Sequence, residues 1–197
     1  MLASLTLLLG LPLALATGDE PHGCTPLLPV TLDKATIHGL LGQWFYITGA
    51  STYEPHLEEF KAVKYSTFSF SPGSHEDELR VTESMRVNET CVVKNAKIQI
   101  FWHNSTLVHV DDQVASPAKL IQSDKDLLIL KNFNDNFLSL SLSARTPNVS
   151  KEQLEEFKAH LYCLGFTEED IFYASEKDAC PLPEEKMDEG DAELKLG

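Results

Sequence analysis

The chain has 197 residues, 43% of them hydrophobic, which is the size of one domain able to bury about 70% of its unfolded surface. Thirty acidic residues against 16 basic ones leave a net charge of −14, which argues against nucleic acid or an anionic membrane surface as partner. No apolar run beyond the first segment approaches the length of a membrane span.

That first segment, Leu5 to Ala16, is almost wholly apolar, as long as the core of a signal peptide and short for a spanning helix. Ala14-Leu15-Ala16 offers a small-x-small cleavage pattern, and Gly10 and Pro12 argue against a buried helix. Residues 1–16 are therefore read as a signal peptide, with a mature chain starting near Thr17 and a secreted, extracellular product. Cys24, Cys91, Cys163 and Cys180 form an even set without C-x-x-C spacing, so two structural disulfides are expected, in one of three connectivities. Asn88, Asn104 and Asn148 open N-x-S/T sequons and are expected to carry glycans.

Strand patterning then dominates. Trp44–Ala50 is the first candidate strand, and Phe60–Phe70, with Phe60, Ala62, Phe68 and Phe70 on one parity, is the second. Pro72-Gly73 stops it. Leu79, Val81, Glu83, Met85 and Val87 share a face of the third, and Val92–Trp102 forms the fourth. Thr106–Val110, Ala118–Gln122, Leu127–Phe133 and Phe137–Arg145 bring the total to eight, a count that suggests an all-β barrel or sandwich.

One segment has a different period. Ser150 and Gln153 make a capping box, followed by Leu154, Phe157, Leu161 and Leu164 at helical spacing. Such a helix needs an apolar patch to cover. Leu138, Leu140 and Leu142 supply one, which turns Ser139, Ser141 and Ser143 inward. Residues 17–180 are thus one domain, and the acidic stretch 181–197 is expected to be a disordered tail.

Gly42-Gln43-Trp44 at the start of the first strand resembles the G-x-W motif of the lipocalins, and Arg145-Thr146-Pro147 resembles that family's C-terminal Arg motif. Ser123-Asp124-Lys125 stands where the family usually has T-D-Y. Within the family, the alpha-1-acid glycoprotein branch is the most similar over the whole mature chain. The Gly42–Ile47 segment, the Asn104 sequon, Lys151–Phe157, the cysteine spacing and the acidic tail carry that likeness.

The resemblance implies an all-β, eight-stranded antiparallel up-and-down barrel with one C-terminal amphipathic helix. It implies the pairs Cys24–Cys163 and Cys91–Cys180, and a barrel base in which Arg145 packs over Trp44 as a cation–π contact. It also implies a monomeric extracellular carrier of small lipophilic ligands such as steroids and drugs, with acute-phase and immunomodulatory roles. By register, Glu83 matches an acidic pocket residue, His109 stands where an Arg is common, Ser141 matches a pocket serine, and Ser143 replaces a pocket tyrosine.

Residue chemistry leads the same way. An apolar inward wall including Phe68, Phe70, Leu79, Val81 and Met85 favours apolar solutes by about 25 cal/mol per Å² buried. Glu83 is the exception on that face, either a pocket acid or a solvated residue near a strand end. His109 is either a ligand contact or a surface histidine. Enzyme readings find no support, since Gly-x-Ser-x-Gly, Walker and His-Glu-x-x-His motifs are absent. The free cysteine that serves one catalytic lipocalin branch is missing from Phe60–Phe70. Neither a cofactor nor a metal is expected. The competing readings are a secreted module acting through its surface, and an apolipoprotein-like lipocalin that keeps residues 1–16 as a lipoprotein anchor.

Overall fold

A computed structural model describes residues 24–110, 115–134 and 137–181. Residues 1–16, read from the sequence as a signal peptide, and all of the stretch beyond Pro181, expected to be disordered, lie outside the described residues.

Eight strands close into an antiparallel barrel: β1 (Gly42–Ser51), β2 (Val63–Pro72), β3 (Glu78–Val87), β4 (Thr90–Phe101), β5 (Thr106–Val110), β6 (Ala115–Ile121), β7 (Leu127–Asn134) and β8 (Phe137–Ala144). Each strand pairs with its successor, and β1 closes the ring by pairing with both β2 and β8. A short ninth strand, β9 (Ile171–Tyr173), adds to β1 beyond the point where β2 leaves it.

Among the described residues, three α-helices accompany the barrel. α1 (Lys34–Leu40) is capped by Asp33, whose carboxylate accepts the Thr36 N–H at 2.7 Å. α2 (Glu54–Ala62) joins β1 to β2, and α3 (Lys151–Cys163) follows β8 behind the Ser150–Gln153 capping box. The expected strand Phe60–Phe70 is therefore corrected at its start, because Phe60–Ala62 belong to α2. Pro55 in a first helical turn is well tolerated, and Lys61 pairs with Glu58 at 3.3 Å across one turn. Trp102 likewise leaves the fourth strand for a 3₁₀ turn, Trp102–Asn104. β6 begins at Ala115, three residues before the expected start.

Alternation in the strands produces two cores, one on each side of the barrel wall. The interior one includes Trp44, Phe70, Leu79, Val81, Ile98, Ile100, Leu107 and Leu128, with Ile37 and Leu40 of α1 plugging one end. The exterior one joins Leu140, Leu142 and Ile129 to Phe157 and Leu161 of α3 and to Ile171 of β9, with Leu138 packed beside them. Helix α3 thus covers the leucine face of β8 and leaves the serine face to the interior.

β1 has to serve both cores. A bulge between Tyr46 and Thr48 shifts its register against β8, after which Gly49 lies opposite Ser141. A Cβ on Gly49 would lie 2.5 Å from the Tyr46 hydroxyl and 2.8 Å from the Leu140 carbonyl oxygen, so the close approach requires glycine.

Both ends of the described segment are fastened. Cys24 is bonded to Cys163 at the end of α3, and Cys91 at the start of β4 to Cys180. Beside the second bridge, the Arg86 guanidinium donates to the carbonyls of Asp178 (2.7 Å), Ala179 (3.1 Å) and Glu89 (3.3 Å).

Candidate ligand-binding site

The barrel is closed at the end where β1 begins. Gly42 has φ +92°, a conformation natural to glycine, and it sends the chain from α1 into β1. Trp44 is 1% exposed, and its indole Nε1 donates to the Leu40 carbonyl at 2.8 Å. The Arg145 guanidinium lies 3.7 Å above the indole ring and donates to the carbonyls of Gln43 (2.8 Å), Gly39 (2.7 Å) and Leu41 (2.9 Å). Burial lowers the Arg145 pKa from its ordinary value, and Asp126 opposes the shift. The G-x-W and Arg motifs therefore build one structural plug.

Above this floor lies a cavity of about 270 Å³. Phe70, Val81, Ile98, Leu107 and Leu128 form its lower, apolar walls, and Phe68, Ala118 and Leu130 continue them upward. Its polar groups are Glu83, His109, Ser116, Asn132 and Ser141. Register explains their meeting: His109 lies opposite Ser116, Ala118 opposite Asn132, and Leu130 opposite Ser141.

All five residues singled out in the sequence, Phe68, Phe70, Glu83, His109 and Ser141, line this one cavity. Glu83 is half-buried, with its carboxylate accepting the hydroxyl of buried Ser66 at 2.7 Å. Its cross-strand neighbours are Phe68 and Lys94. His109 and Ser141 are half-buried as well. Ser143 is 3% exposed and lies opposite Tyr46, nearer the floor. Met85 is 1% exposed on the same parity as Glu83 but is not part of the cavity wall.

Sequence reasoning missed Ser116 and Asn132. Ser116 precedes the strand start inferred from the apolar run at Ala118. Asn132 sits in a segment apolar on both parities, so its facing could not be read by alternation. Among the described residues no group of three or more His, Cys, Asp or Glu could hold a metal ion.

The family profile of the ApoM domain matches residues 30–184, the whole barrel with its helices. The chain belongs to the ApoM-domain family of lipocalins. This lipocalin is 31% identical over 205 aligned residues to alpha-1-acid glycoprotein of Bos taurus, covering 96% of this chain and 95% of that one. Solved lipocalin structures share the fold at lower identity. A siderocalin, Ex-FABP, described as functioning through dual ligand specificities, matches with a TM-score of 0.60 at 18% identity over 74% of this chain and 99% of its own. Odorant-binding protein OBP1 matches with a TM-score of 0.61 at 12% identity, over 78% and 99% of the two chains.

Proposed function

We propose that this lipocalin is a secreted, monomeric, non-catalytic carrier that holds small lipophilic molecules in its barrel cavity, neutral or basic ones such as steroids and drugs in preference to acidic ones. The observation that carries the reading is the cavity itself, an apolar enclosure with a single half-buried carboxylate, Glu83, in its wall. Apolar area supplies the affinity, while the few convergent polar groups set orientation and charge preference. Likeness to alpha-1-acid glycoprotein supports the carrier reading and extends it to secretion, to glycans on Asn88, Asn104 and Asn148, and to an acute-phase or immunomodulatory role. All three asparagines are exposed.

In this reading Glu83 receives the cationic head of a basic ligand. His109 adds a second polar contact in the same cavity wall, able to hydrogen-bond a ligand's polar group. The test is calorimetric titration with a steroid, a lipophilic amine and a lipophilic carboxylic acid. Glu83→Gln is expected to weaken the amine about tenfold, the worth of one charged hydrogen bond, and leave the steroid within about twofold. His109→Gln is expected to change the affinities for the amine and the carboxylic acid by about twofold to tenfold and leave the steroid within about twofold. Affinities for the amine and the carboxylic acid that are unchanged in His109→Gln would remove His109 from the site.

A further inference from the structure

A second cavity, of about 370 Å³, lies outside the barrel, between α3 and the outer face of β7–β8. Its floor is Ile129, Leu142 and Phe157, which are 6%, 0% and 1% exposed. Residues 25–28 form the opposite wall. That wall is held in place: Val30 N–H donates to Leu120 and Gln122 N–H to Leu28, both at 2.8 Å, while Cys24 ties its start to Cys163. The cleft is therefore bounded by a strand pair, a helix and a stapled segment.

Its charged rim has one sign. Asp124 and Glu156 line it, with His160 one turn from Glu156 on the same face of α3, and no lysine or arginine is present in the lining. Asp124 accepts a long hydrogen bond of 3.4 Å from Gln153. Glu156 makes no side-chain hydrogen bond or ion pair among the described residues. The chain's net charge of −14 adds a field that favours cations over anions.

We propose that this cleft is a second binding site, for a small lipophilic amine whose hydrocarbon body rests against Leu27, Leu28 and Leu127, above the buried Ile129, Leu142 and Phe157, and whose ammonium meets Glu156 and Asp124. It is separate from the barrel cavity. Ile129 and Leu142 point out of the wall, while Leu128, Leu130 and Ser141 beside them point into the barrel. Two ligands can thus be held on opposite faces of the β7–β8 wall at the same time.

The test follows methyl NMR signals of the intact secreted protein during titration with 1-aminoadamantane, with neutral 1-adamantanol as control. Leu127, Ile129 and Leu142 report the outer cleft, and Val81, Ile98 and Leu107 report the barrel cavity. The expected result is a saturable shift of the outer set by the amine, about tenfold weaker in Glu156→Gln and weaker again with Asp124→Asn added. Shifts of the inner set persist in both variants. Outer methyls that stay still at saturating amine, or that respond equally to the alcohol, overturn the proposal. So does an outer shift driven by protein concentration alone, which would put a second copy in the cleft. Failure of the inner set to respond would count against the carrier reading and leave this site standing.

Discussion

Replacing Arg145 with lysine keeps the charge and removes the plane. In the native base the guanidinium makes three hydrogen bonds to backbone carbonyls and stacks 3.7 Å from the Trp44 ring. Two of those bonds are exposed and are worth about 0.5–1 kcal/mol each, the partly buried one to Leu41 about 1.5, and the ring contact about 1. Arg145→Ala should therefore cost about 3.5–4.5 kcal/mol. Arg145→Lys, able to keep one bond and part of the ring contact, should cost about 2 kcal/mol. Both are large beside a total stability of about 5–15 kcal/mol. Urea unfolding with the disulfides intact measures the losses, and a cycle combining Arg145→Ala with Trp44→Leu should return a coupling near 1 kcal/mol. Ligand affinity per folded molecule should stay within about twofold, since neither residue lines the cavity. A lysine variant as stable as wild type, or a fully stable variant that has lost binding, would refute the assignment of Arg145 to the plug.

Gly49→Ala should cost about 2–3 kcal/mol in the same unfolding assay, because its Cβ meets the Leu140 backbone as well as the Tyr46 hydroxyl. Removing the Cys91–Cys180 bridge as the double serine variant should cost about 3–5 kcal/mol, given the 89-residue separation it spans. Thiol labelling of the unfolded wild type should find no free cysteine. Glu168 accepts from the hydroxyls of Tyr162 and Tyr173 and pairs with Lys158 at 3.1 Å, bonds that hold its carboxyl below the usual range and Tyr162 and Lys158 above theirs, while burial first and the Glu168 bond second raise Tyr173. A depressed acid stabilises above its unfolded pKa and loses that contribution as pH falls through the folded one. The raised tyrosines and lysine lose theirs as pH rises past about 10. Melting temperature measured from pH 2 to 11 should thus fall at both ends, and Glu168→Gln should flatten both limbs. Limbs unchanged in that variant would show that the cluster contributes nothing to either.

The barrel was legible because its strands are amphipathic in the simplest way. The alternation of Leu138, Leu140 and Leu142 with Ser139, Ser141 and Ser143 is enough to place one face under α3 and the other toward the cavity. Capping chemistry marked α3 for the same reason: it is local. What escaped was decided by tertiary partners. The three residues of β9 carry too little pattern to announce a strand, and they pair only because β1 presents a free edge there. Helix α1 is seven residues long and is fixed by packing into the barrel end. The α2 segment was hidden by Phe60, whose parity with Phe68 and Phe70 extended the strand pattern backwards. Asn132 and Ser116 lay where alternation was silent, so the polar part of the cavity was only half read.

The triple pairing of β1 has a consequence for biosynthesis. Its partners on one side come from β8, about a hundred residues downstream, and its last edge is taken by β9, later still. At about 5–20 residues per second, the strand that carries Trp44 leaves the ribosome roughly 5–20 s before β8 exists to pair with it. Through that interval only β2 can occupy part of its edge. Closure of the ring is therefore a long-range event late in synthesis, of the slow kind that high contact order brings. An unpaired β1 is the surface that a folding helper must shield, and ring closure is the step that a destabilised variant is most exposed to missing.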